Sequence, residues 1–71
     1  MKTVLVFKTS VAQKKDVSTL RPLLDGLINT SGRWNFDLED CDNILRVETW
    51  RIAPHTVVSA LTGHGFRCEE L

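Results

Sequence analysis

Seventy-one residues, nine of them basic and nine acidic, fit one small domain spanning 1–71 with no formal net charge. That balance argues against a nucleic-acid partner, whose phosphates call for a basic excess, and no apolar run nears the roughly 20 residues of a membrane helix. Only residues 3–7 lean apolar between Lys2 and Lys8, too few for a signal peptide, so a cytoplasmic protein with Cys41 and Cys68 reduced is expected.

The first element alternates. Leu5, Phe7 and Thr9 point one way and Val4, Val6 and Lys8 the other, which predicts a strand over 2–9. A polar loop leads to Leu20, Leu23, Leu24 and Leu27, an apolar stripe at helical spacing that predicts a helix over 16–28. Pro22 conflicts with an early start, because an interior proline removes a hydrogen bond and crowds the carbonyl four residues before it. The sequence favours a late start near Ser18, with a kink at Pro22 as the alternative. Asp16, Ser18 and Thr19 are candidate caps. Asn29-Thr30-Ser31-Gly32 is a turn cluster that closes this helix.

Trp34, Phe36 and Leu38 then alternate with Asn35 and Asp37, predicting a strand over 33–38. Glu39-Asp40-Cys41-Asp42-Asn43 forms an acidic turn. Leu45, Val47 and Thr49 alternate with Arg46 and Glu48 in a hairpin partner over 44–50. Pro54 suits the first position of a second helix over 54–62, with Val57, Ala60 and Leu61 as its apolar stripe. Gly63-His64-Gly65 breaks that helix before a last strand over 65–70.

This order predicts an α+β domain, a ferredoxin-like βαββαβ sandwich with two helices on one face of a four-stranded antiparallel sheet. The alternating central hairpin excludes a three-helix bundle. The expected core is Leu5, Phe7, Leu20, Leu24, Leu27, Phe36, Leu38, Leu45, Val47, Val57, Leu61 and Phe66.

Val57-Val58-Ser59-Ala60-Leu61 followed by Gly65-Phe66 is similar to the Ile-x-x-Ala-Ile…Gly-Tyr pattern of the heavy-metal-associated domain, the fold of copper chaperones and of P-type ATPase amino-terminal modules. Trp34-Asn35-Phe36-Asp37-Leu38 resembles that family's second strand. The likeness covers nearly the whole chain, but it rests on packing residues and so implies fold ahead of function. Where the family carries Met-Thr-Cys-x-x-Cys, this chain has Val11-Ala12-Gln13-Lys14-Lys15-Asp16. Gln13 and Asp16 therefore occupy the positions of the two metal-binding cysteines. A neutral amide and a hard carboxylate suit Cu(I) poorly. The resemblance thus implies a degenerate metal site, with no metal and no cofactor expected.

In that topology the loop after the first strand, the central hairpin and the turn before the last strand share one end. They would gather Gln13, Lys14, Lys15, Asp16, Cys41 and His64. A rearranged metal site built from Cys41, His64 and Cys68 is one alternative there. The other has Cys68 as a small core residue, His64 as a solvated turn residue and Cys41 at the hairpin tip. Glu39, Asp40, Asp42 and Asn43 lack the spread of ligands that a calcium loop needs, which makes them a solvated tip. His55, at the positive end of the second helix, is expected as an exposed first-turn residue.

No nucleophile–base spacing, phosphate loop or carboxylate pair stands out, so no enzymatic activity is expected. The sequence points to a non-catalytic binding or interaction module, with metal-ion binding or trafficking at the loop-and-hairpin end as the alternative. A protein partner or a second copy would meet the open sheet face, where Val4, Val6 and Ile44 lie opposite the helices with Trp50 nearby.

Overall fold

The alternating segments become strands and the leucine-spaced segments become helices. The structure, a computed structural model, describes residues 2–29, 32–39 and 41–71. Its elements are β1 (Thr3–Thr9), α1 (Lys14–Ile28), β2 (Gly32–Asp37), β3 (Ile44–Thr49), α2 (Pro54–Thr62) and β4 (Cys68–Glu70). The four strands form one antiparallel sheet in the order β2-β3-β1-β4, which puts β1 and β3 at the centre. The domain is α+β. The acidic turn and the turn closing α1 include Asp40, Thr30 and Ser31, which lie outside the described residues.

Register follows the apolar alternation. Leu5 sits opposite Val47, itself opposite Trp34, and Phe7 sits opposite Leu45, itself opposite Phe36. These rows face the helices. Leu20, Leu24 and Ile28 of α1 and Val57 and Leu61 of α2 are fully buried in the same core as Leu5, Phe7, Leu45 and Val47. Each such aliphatic contributes about 1.5–3 kcal/mol by leaving water.

The core differs from the sequence expectation at its margins. Leu27, Phe36, Leu38 and Phe66 pack against it half-buried, while Ile28 and Val11 are fully inside. Steps of four residues along α1 keep Leu20, Leu24 and Ile28 in line and rotate Leu23 and Leu27 to the flanks. Val11 precedes the helix, and periodicity gave no sign of its burial. It is drawn in by Thr9, whose Oγ1 accepts the Val11 N–H at 3.2 Å and donates to the Asn43 carbonyl at 2.7 Å.

The late start of α1 is overturned. The helix begins at Lys14 and runs through Pro22, which lies in its interior and is exposed. Gln13 is the N-cap but makes no side-chain cap bond, and Asp16, Ser18 and Thr19 are helical residues rather than caps. Burial of Leu20, Leu24 and Ile28 along one stripe outweighs the hydrogen bond that Pro22 denies the Ser18 carbonyl. Asp16 in the first turn adds a favourable charge at the positive helix end.

The last strand is shorter than expected. Gly65, at φ 86°, turns the chain, and the Phe66 N–H closes back on Leu61 O at 3.1 Å, so Phe66 belongs to the connection and β4 holds three residues. Gly32, at the start of β2, sits so close to β3 that a Cβ there would be driven into the Glu48 carbonyl. At this same end of β3, where Gly32 pairs with Thr49, the buried Thr49 hydroxyl accepts the N–H groups of Arg51 and Ile52 at 3.1 and 3.0 Å, which ends the strand without orphaned donors.

Candidate functional site

The end of the sheet where the resemblance would place thiolates is closed by backbone contacts. The Thr9 N–H reaches the Asp42 and Asn43 carbonyls at 3.3 Å each, and the Ser10 N–H reaches Arg67 O at 3.2 Å. Loop, hairpin and β4 approach therefore do meet. Gln13 is exposed there and Asp16 is half-buried one turn further on, its N–H bonded to Gln13 O at 3.0 Å.

Cys41 is exposed, whereas Cys68 is buried on the inward face of β4 opposite Thr9. Burial pushes the Cys68 thiol up to about 11, which keeps it protonated at neutral pH. His64 is an exposed turn residue whose Nδ1 lies 3.0 Å from the Ala60 carbonyl. Among the described residues no three His, Cys, Asp or Glu side chains gather into a set that could hold a metal ion. Cys41, His64 and Cys68 are thus not brought together. His55 is exposed in the first turn of α2.

On the open sheet face, Val4 and Trp50 are 54% and 60% exposed, but Ile44 is only 6% exposed. Ile44 sits between Lys8 and Asp37, and Lys8 pairs with Asp42 at 3.6 Å, so the apolar patch expected there is smaller than the sequence implied.

A concavity lies elsewhere. A groove of about 770 Å³ runs along the outer edge of β2 beneath α1, reached by Lys14, Ser18, Arg21 and Asp25 from the helix and by Trp34 and Phe36 from the strand. Its centre is built on Asp25. One carboxylate oxygen, Oδ1, accepts the Trp34 indole N–H at 2.9 Å and the Asn29 side-chain amide at 3.0 Å. The Arg21 guanidinium stands 5.6 Å from the Trp34 ring centre, a cation–π distance, and Trp34 meets Phe36 edge-on at 5.9 Å. The groove wall is therefore aromatic and held in place, with Lys14, Arg21, Arg33 and Arg46 around it and the carboxylates of Asp37 and Glu39 among them.

This site was not singled out from the sequence, although a signal for it existed. Lys14, Ser18, Arg21, Asp25 and Asn29 recur at helical spacing beside the leucine stripe, and a tryptophan on the neighbouring strand needs a partner for its N–H.

No protein-family model, curated protein or solved structure matches the chain. Among the described residues no helix is long and apolar enough to cross a membrane.

Proposed function

We propose that this chain is a ferredoxin-like domain of the heavy-metal-associated type that has exchanged its thiolate pair for work as a non-catalytic interaction module. The groove along the unpaired edge of β2 is the observation that carries this function. It joins half-buried aromatic surface, cations and an available strand edge, the three features that recognise another polypeptide. The central pairing of β1 with β3, flanked by β2 and β4, supports the ferredoxin-like assignment. Gln13 and Asp16, at the loop where thiolates would stand, support the loss of metal chemistry. The open face with Val4 and Trp50 is the smaller competing surface. A cytoplasmic site of action belongs to the same proposal.

Amide NMR during titration with Cu(I) and then Zn(II), under reducing conditions, tests this function. An interaction module leaves the resonances of Gln13 to Asp16 and of Cys41 unmoved. Saturable shifts confined to those residues would hand the function to metal binding or trafficking at that end.

A further inference from the structure

The hydrogen-bond phase of the sheet identifies which backbone groups β2 offers outward. The Leu71 N–H donates to Val6 O at 2.9 Å, and the Thr9 N–H turns toward Asn43 O at 3.3 Å. Val6 and Lys8 therefore face β4, while Leu5, Phe7 and Thr9 face β3. Antiparallel alternation carries this across the sheet. Leu45 and Val47 bond toward β1, and Ile44, Arg46 and Glu48 bond toward β2. Arg33, Asn35 and Asp37 thus spend their backbone groups on β3. The N–H and C=O groups of Trp34 and Phe36 point to the open edge.

The sequence of this edge is self-complementary about Asn35. Reversing Arg33-Trp34-Asn35-Phe36-Asp37 against itself sets Arg33 opposite Asp37, Trp34 opposite Phe36 and Asn35 opposite Asn35. The outward-facing residues Trp34 and Phe36 then bond to each other, as the phase requires. Arg33 and Asp37 meet on the wet face, and the aromatic pairs meet on the helix face. Arg33 has the freedom to respond, since its side chain is 85% exposed and reaches Glu48 only at 4.0 Å. Sliding the pairing by two residues puts Arg33 or Asp37 opposite Asn35 and loses both of these ion pairs. The edge is six residues long and contains no proline to block pairing.

We infer that the partner of this edge is a second copy of the chain, joined by antiparallel β2–β2 pairing about a two-fold axis at Asn35. The inference rests on the interaction-module function above and names its partner. Opposite charges and aromatic rings meet twice in such an isologous contact. Two four-stranded sheets become one continuous sheet, and the groove beneath α1 lies against the partner's edge.

Sedimentation velocity over a concentration series is expected to show a monomer–dimer equilibrium. Arg33→Asp and Asp37→Arg should each weaken the dimer about tenfold, and the double variant should recover it. Asn35→Cys in a Cys41→Ser background should oxidise to a covalent dimer, since residues facing each other at a non-bonded position lie within disulfide reach. Arg33→Cys in the same background should not link. Asn35 is exposed, so the substitution spares the fold.

A monomer at every concentration would overturn the dimer, as would equal linking by both cysteine variants. A dimer weakened by Val4→Lys but indifferent to the charge swap would move the contact to the open face and overturn it too. A monomer that also ignores Cu(I) leaves the interaction-module function standing, whereas metal capture at the Gln13 loop overturns that function itself.

Discussion

Asp25 in the last turn of α1 accepts the indole N–H of Trp34 on β2 at 2.9 Å, tying the end of the helix to the edge of the sheet. The same oxygen holds the Asn29 amide, so one carboxylate organises both the helix end and the groove wall. Asp25→Ala leaves the indole donor unpaired in a part-buried position. A loss of about 1–2 kcal/mol in urea unfolding is expected, with a displaced Trp34 indole resonance, because bonds to a charged acceptor exceed neutral ones. Asp25→Asn keeps an oxygen acceptor and should recover much of that loss.

Leu24 is fully buried at the middle of the α1 stripe. Leu24→Ala should cost about 2–5 kcal/mol, a large share of the stability a domain this small holds. The check is the urea midpoint at unchanged slope, and a shift worth less than ~1 kcal/mol would contradict the burial.

Pro22 lies inside α1 and is exposed, so its ring packs nothing that alanine would forfeit. Pro22→Ala restores a donor for the Ser18 carbonyl. The variant should gain stability, by up to about 3 kcal/mol, read as a higher urea midpoint with a matching rise in helical circular dichroism.

The thiols should behave differently. Cys41 is exposed and should be alkylated at once in the native protein, while buried Cys68 should react only as the chain opens. The fold holds the Cys68 proton up to about pH 11, above the ordinary 9.0 that the unfolded chain would show. Below the lower value both states are protonated, so no stability is lost. As pH rises between the two, the unfolded state sheds its proton first and stability falls. Urea midpoints measured across that range should decline in the parent and flatten in Cys68→Ala.

Gln13 and Asp16 stand one helical turn apart, with the Gln13 carbonyl bonded to the Asp16 N–H at 3.0 Å. Residues so spaced share a helix face, so a pair of thiols placed there would converge. The double variant Gln13→Cys, Asp16→Cys should gain Cu(I) affinity in competition with a strong chelator. No gain would confine the metal-domain resemblance to the fold.

The alternation of Leu5 with Phe7 and of Leu45 with Val47 made the central sheet legible, since one buried face leaves a period of two in the chain. Pro54 and the Gly63-His64-Gly65 break likewise marked α2 at its observed ends. The start of α1 was not legible, because Pro22 is locally unfavourable and only tertiary burial of Leu20, Leu24 and Ile28 overrides it. The groove was obscured for a related reason. Asp25 and Trp34 lie nine residues apart across a turn, and each alone reads as an ordinary helix or strand residue. Their contact exists only once the edge of β2 is set under α1.

The two borders of the sheet are unequal. β2 presents six residues, while β4 presents three, two of them the exposed glutamates Glu69 and Glu70. Stacking chains edge to edge without end would need both borders to accept a neighbour. A short border carrying adjacent negative charges refuses one, because like charges repel across strands and three residues give too few bonds to offset the ordering cost. The two borders thus differ in how readily they would accept a strand, with β2 favoured over β4. Where β2 pairs with β2, the borders left open are both β4, and a further contact between them would set Glu69 and Glu70 against their own kind, which disfavours running on into a fibre.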